Sequence, residues 1–181
     1  FALDHYSPPD NPATVALRDR MRDFTAKNGN VLYEIGAGIS HQLMIERGHV
    51  RPGQLVVGAD SHSVQYGAAN VFSTGVGSSD LAAVMLTGKL WFRVPESIRI
   101  NLTGALNPGV DAKDIALEIN RILDPADASY RALEFSGEGA TSLKFEERML
   151  LSNMSTDAGA KAGVFAADAV TEAYLKDATT L

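Results

Sequence analysis

None of the 181 residues is cysteine. That excludes disulfides, zinc–thiolate sites and cysteine-held iron–sulfur clusters within this chain. Long apolar runs are missing as well. A membrane-spanning helix needs about 20 consecutive apolar residues. The longest apolar-rich stretch, Leu81 to Phe92, carries Lys89 and is expected to form a buried helix. Positive charge is in the minority, with 16 Lys and Arg against 22 Asp and Glu, a net charge of −6. Domains that find polynucleotides by electrostatics are usually basic, so nucleic acid is not an expected partner, and neither is a membrane. No initiator Met, charged n-region or long apolar h-region is visible, which suggests a fragment or processed piece in the cytoplasm or an organelle matrix.

What is present alternates between helix and strand signals, the pattern of an α/β fold with a mostly parallel sheet. Asn11-Pro12 is a helix start, Leu17, Met21 and Phe24 recur at helical spacing, and Asn28-Gly29 is a stop. Val31 to Ile35 is expected as a strand, then a helix through His41 and Ile45, then a second strand, Leu55 to Val57, ending at Asp60. A helix capped by Ser78 or Ser79 follows. Ser97 to Leu102 alternates as a strand, Asp111 caps a helix carrying Ile115, Ile119 and Ile122, and Leu133 to Ser136 is another strand. A helix near Glu146 to Leu151, a short Val164-Phe165 strand and a last helix complete the chain. Pro95 breaks the pattern and suggests two subdomains, residues 1–95 and 96–181.

The chain has four histidines, and two stand beside acids, in Asp4-His5 and Asp60-Ser61-His62. Ligand sites in α/β folds form at the carboxyl ends of strands. A carboxylate bonded to imidazole fixes its tautomer and raises its basicity, which suits acid–base catalysis or metal ligation. The bland alternative is that these are loop residues capping helix ends. His49, among Arg47, Gly48 and Arg51, is expected to be a solvated loop residue. Gly36-Ala37-Gly38 imitates a dinucleotide loop, but His41 replaces the third glycine, which permits close helix–strand packing. The glycine-rich run before Asp80 lacks the lysine of a phosphate loop and is better explained as a turn with an N-cap. Asn153 and Asp157 share a face if their segment is helical.

Taken in order, many short segments resemble the aconitase family along nearly the whole chain. They are Leu3-Asp4-His5, Gly38-Ile39-Ser40-His41-Gln42, Val57-Gly58-Ala59-Asp60-Ser61-His62 and Gly75-Val76-Gly77-Ser78-Ser79-Asp80. Thr87-Gly88-Lys89-Leu90-Trp91, Ser152-Asn153-Met154 and Gly159-Ala160-Lys161-Ala162-Gly163 continue the series. The spacing is most similar to the branch holding isopropylmalate dehydratase and homoaconitase. The resemblance implies a three-layer α/β/α fold with mostly parallel sheets. It also implies reversible dehydration and rehydration of a hydroxy di- or tricarboxylate, with a [4Fe–4S] cluster held by three cysteines as Lewis acid.

By the same resemblance, Asp4 and His5 form the pair that donates a proton to the leaving hydroxyl, and His41 is a second active-site histidine. Asp60, Ser61 and His62 line the cluster-side pocket, with Ser61 on a substrate carboxylate. Asn153 lies near the cluster, and Asp157, where the family usually has Glu, partners His41. Ser63-Val64-Gln65 departs from the family's usual Thr-containing run. The resemblance further implies a cluster-binding region and a swivelling small subunit or domain as partners, so that this chain alone binds no cluster and is inactive. The alternative is a non-catalytic relic or a small-molecule-binding scaffold of the same fold.

Overall fold

The computed structural model describes residues 1–176 and residue 178. The first helix, α1 (Pro12–Asn28), begins where its local chemistry says it should. The Asn11 side chain accepts the Thr14 amide, Pro12 enters the first turn, and Gly29 in the left-handed region (φ 65°) closes it. Its buried residues are Arg18 and Thr25, while Leu17 and Phe24 stay exposed. The expected strand at 31–35 is absent. Only Tyr33 pairs, in a single parallel bridge to Ala2, because that partner segment is one residue deep and Ala37 already turns back onto the Glu34 carbonyl.

Helix α2 (Ser40–Glu46) buries His41, Leu43 and Ile45. Strand β1 (Leu55–Gly58) pairs in parallel with β2 (Phe72–Gly75), and a nine-residue 3₁₀ helix (Ser61–Ala69) makes the crossover. Runs of 3₁₀ geometry beyond 3–4 residues are uncommon. This one is packed tightly enough to explain it. A Cβ on Gly67 would lie 1.8 Å from the Gly163 carbonyl oxygen, so only glycine fits there.

Helix α3 (Ser78–Thr87) starts from Gly77, which makes no side-chain cap bond, so neither Ser78 nor Ser79 is its cap. It ends at left-handed Gly88, short of the expected stretch, and buries none of its residues. Leu86 and Trp91 are 87% and 84% exposed. The apolar character of Leu81 to Phe92 is therefore real, but of its aromatic rings only Phe92 is packed, edge-on against Phe72 of β2, while Leu86 and Trp91 face outward.

The second sheet holds β3 (Ser97–Asn101), β4 (Ala132–Ser136) and β5 (Ala162–Phe165), in that spatial order and all parallel. Helix α4 (Ala112–Ile122) has a full capping box, Asp111 with Asp114. Short helices α5 (Pro125–Ala128) and α6 (Glu138–Ser142) flank β4, and α7 (Phe145–Met154) and α8 (Ala169–Lys176) flank β5. The chain thus has the α/β architecture with parallel sheets that its pattern implied.

Two apolar clusters hold it together. One joins Leu133, Phe135, Leu151 and Phe165 of the second sheet and α7 to Ala112 and Ala116 of α4. The other joins Ile45, Tyr66 and Val71 to Phe145 and Met149, so this core is built from both sides of Pro95. Helix α7 is pinned from beneath by Arg148, 1% exposed, whose guanidinium makes two 2.8 Å bonds to Asp168. Asp168 also caps α8 through the Val170 and Thr171 amides.

Candidate functional site

The site is organised around one carboxylate, that of Asp60, just past the carboxyl end of β1. Gly75 at the end of β2 allows this, because a Cβ there would lie 2.7 Å from the Asp60 carbonyl oxygen. Asp60 caps the 3₁₀ helix, its Oδ1 accepting the His62 amide at 2.7 Å. The same Oδ1 lies 3.0 Å from His41 Nε2, and Oδ2 lies 3.3 Å from His5 Nε2. The His62 ring is a looser neighbour, its Nδ1 3.7 Å from Oδ1 and 3.2 Å from Ser61 Oγ. Three of the four histidines therefore meet at one acid. The fourth, His49, is outside it, bonded to the Tyr33 hydroxyl at 2.7 Å and half-buried, not solvated as expected.

His5 is held on both sides. Its Nδ1 lies 2.9 Å from Asp4 Oδ1, and Asp4 Oδ2 accepts the Ser40 amide at 2.6 Å from the start of α2. From α1, the Arg18 guanidinium, 4% exposed, donates to the carbonyl oxygens of His5 (2.8 Å) and Tyr6. Tyr6 itself sits in the left-handed region (φ 52°). The His5 ring remains 66% exposed and so is open to a ligand.

Partial burial works to raise the Asp4 carboxyl, but the Ser40 amide and His5 outweigh it and hold the group at about 2. Burial likewise opposes ionisation of Asp60, and the His62 amide, His41 and His5 together bring it below the usual carboxylate range. His5 is pushed up, first by its bond to Asp4, against some desolvation, and then by the charges of Asp4 and Asp60. Ionised carboxylates only accept hydrogen bonds. With one facing each ring nitrogen, His5 satisfies both contacts only when both nitrogens carry hydrogen. The geometry stabilises an imidazolium on an accessible surface.

The expected partnership of His41 with Asp157 is not formed. Both His41 nitrogens are taken, Nε2 by Asp60 and Nδ1 by the Tyr66 hydroxyl at 3.3 Å. Asp157 is exposed, on the turn after α7, because that helix stops at Met154. Asn153 and Asp157 consequently do not share a helical face. Asn153 instead donates to Gln65 Oε1 at 3.0 Å, tying α7 to the 3₁₀ helix. Ser61 opens onto a cleft of about 690 Å³, together with Thr74, Trp91, Thr156 and Lys161. Ser40, Tyr66, Gln65 and Arg18 escaped the sequence reading. Each acts across 12 residues or more, and no local pattern marks such a contact.

A [4Fe–4S] cluster needs ligands that this chain does not offer. It has no cysteine, and among the described residues no group of three or more His, Asp or Glu could hold a metal ion.

The model of the aconitase family (aconitate hydratase) matches residues 11–180. The chain is 47% identical over 175 residues to the 3-isopropylmalate dehydratase large subunit of Syntrophus aciditrophicus (strain SB), covering 96% of this chain and 42% of that protein. It is 44% identical over 175 residues to a probable 3-isopropylmalate dehydratase large subunit of Methanosarcina mazei, covering 97% and 42%. It is 43% identical over 174 residues to 3-isopropylmalate dehydratase large subunit 1 of Thermotoga maritima, covering 96% and 41%. The chain thus spans about two fifths of the length of these relatives. On the matched residues and these identities, the chain belongs to the aconitase family.

Proposed function

We propose that this chain supplies the acid–base side of a hydro-lyase that isomerises a hydroxy di- or tricarboxylate by dehydration and rehydration, of the 3-isopropylmalate dehydratase type. The observation that carries the reading is His5 between two ionised acids with its ring exposed. In the dehydration step His5 gives a proton to the departing hydroxyl, the C–O bond breaks, and the hydroxyl leaves as water. The neighbouring carbon loses its proton to a base outside these 181 residues. In the reverse step the alkene regains that proton, and His5 takes one from the adding water. Asp4 and Asp60 stabilise the charged form of His5 and hold its ring in place.

Ser61, at the mouth of the cleft, offers a hydroxyl to a substrate carboxylate. His62 follows Ser61 in sequence, and Asn153 and Asp157 lie within three residues of Thr156, which lines the same cleft. The cluster that aconitase-family enzymes generally use would supply Lewis-acid polarisation of the hydroxyl when bound. Its cysteine ligands are to be found in sequence beyond this chain, as is a small subunit or domain that completes the pocket. We place the division of the chain at Pro95, with 1–95 carrying the histidines.

The test is His5→Asn in the complete enzyme. General acid–base catalysis is worth about 10²–10⁴-fold, so kcat should fall by that much with KM little changed. A kcat within about twofold of wild type would return Asp4-His5 to a purely structural role and favour the relic reading.

A further inference from the structure

The 3₁₀ geometry after Asp60 has a chemical result. With three residues per turn, positions six apart stand on the same face, two turns on. In an α-helix of 3.6 residues per turn they would diverge. Asp60 and Tyr66 are such a pair, and both reach His41, one at each ring nitrogen. Tyr66 is 6% exposed, its ring stands edge-on to the imidazole with centroids 5.8 Å apart, and among the described residues its hydroxyl has no other partner.

Hydrogen placement follows from the acceptors. Asp60 Oδ1 can only accept, so His41 Nε2 carries a hydrogen. Burial, and then the charges of Asp60 and Asp4, raise the Tyr66 phenol well above its ordinary value, so it keeps its proton and can donate it. The structure assigns Tyr66 as a positioning residue that donates to His41 Nδ1, fixes the Nε2–H tautomer, and thereby holds Asp60 with its second oxygen turned to His5. The line Tyr66–His41–Asp60–His5–Asp4 then has one direction for every hydrogen. Its kinetic consequence rests on the hydro-lyase reading; the tautomer does not.

The experiment is ¹⁵N NMR of the histidine rings in the chain and in Tyr66→Phe, which removes one hydroxyl from a ring that otherwise packs unchanged. In the wild type, His41 Nε2 should be protonated and Nδ1 bare but hydrogen-bonded. In Tyr66→Phe, Nδ1 should move to the position of a bare, unbonded nitrogen. A protonated Nδ1 in the wild type, or an Nδ1 that does not move in the variant, overturns the assignment. If Tyr66→Phe does not fold, 3-fluorotyrosine at position 66 makes a stronger donor and must shift Nδ1; no shift overturns it equally. In the complete enzyme, losing one neutral hydrogen bond should lower kcat about two- to tenfold, with KM within about twofold. His5→Asn separates the two ideas. If it leaves the rate intact, the hydro-lyase reading fails whatever Tyr66 does. If it abolishes the rate while His41 Nδ1 ignores Tyr66, only the present assignment fails.

Discussion

Replacing Asp60 by Asn removes one charge and one acceptor and almost no volume. Asn has one oxygen to offer where Asp has two. Two hydrogen bonds compete for it on the Oδ1 side, from His41 Nε2 at 3.0 Å and the His62 amide at 2.7 Å. The amide oxygen settles there, and the NH₂ group then faces His5 Nε2, a donor against a donor at the 3.3 Å contact. His5 can relieve this only by giving up the hydrogen on Nε2. The lost interaction is an ion-pair contact between partly exposed groups, worth about 0.2–1 kcal/mol, or up to about fivefold in rate.

Asp60→Asn should therefore lower kcat of the complete enzyme by up to about fivefold. The sign of the pH effect is fixed. His5 acts as an acid, and its folded value is raised, so activity is present at lower pH and lost as pH rises through that value. In Asp60→Asn this alkaline limb should move to lower pH. It should move further in Asp4→Asn, because the Asp4 bond is the first cause of the shift and the Asp60 charge a lesser one. The assays are pH–rate profiles of kcat/KM and NMR titration of the His5 ring. A His5 titration moved upward in Asp60→Asn, or a kcat reduced by much more than about tenfold, would refute this account of the site.

Other outcomes follow from the frame around it. Asp168→Asn keeps the Oδ1 contacts, the α8 cap and the Arg148 Nη1 bond, but loses the charge and the Oδ2 bond to Arg148 Nη2, and should cost about 1.5–3 kcal/mol in urea unfolding. Arg148→Met should cost less, because the Asp168 side chain is 30% exposed and can be hydrated; the reverse order would contradict the burial argument. The Asp168 carboxyl is held at about 2, first by its bond to Arg148. A depressed acid contributes stability above its unfolded value, about 3.9, and loses it as pH falls toward about 2. Acid unfolding of Asp168→Asn should accordingly show a shallower slope in that window. Gly67→Ala must displace the Gly163 backbone and should cost at least about 1–3 kcal/mol; a thermal melt unchanged from wild type would mean that the close approach is not real.

Elements governed by neighbours in sequence were legible. Asn11, Pro12 and Gly29 delimit α1, and Asp111 with Asp114 starts α4, because capping is decided within four residues. The carboxylate–imidazole pair Asp4-His5 was legible for the same reason. The 3₁₀ helix was not, since its small residues carry no period of their own and its path is imposed by Gly163. Pairing at the site was misassigned where it depends on tertiary geometry. His41 lies 19 residues from Asp60, and only the packing of α2 on the 3₁₀ helix makes them partners in place of Asp157. Arg148 looks in sequence like any other charge on a polar helix, and its burial comes from α8 folding over it. The apolar face of α3 was read correctly as apolar and wrongly as buried.

The contact between Gly67 and Gly163 also has a mechanical side. Two backbones meet there without a side chain between them, and the other side of Gly163 is closed by the Ser155 side chain, just past the end of α7, since a Cβ on Gly163 would fall 2.0 Å from Ser155 Oγ. Interdigitated side chains can slide or repack by changing rotamer. Backbone on backbone cannot, because the only soft coordinates left are main-chain torsions already fixed by strand β5 and the 3₁₀ helix. This point therefore acts as a weld. Any opening and closing around a ligand has to be taken up on other surfaces, and the Asp60 end of the 3₁₀ helix moves with β5 or not at all. The same weld ties the inheritance of the two glycines together, for a larger residue at either position finds no compensating change at the other.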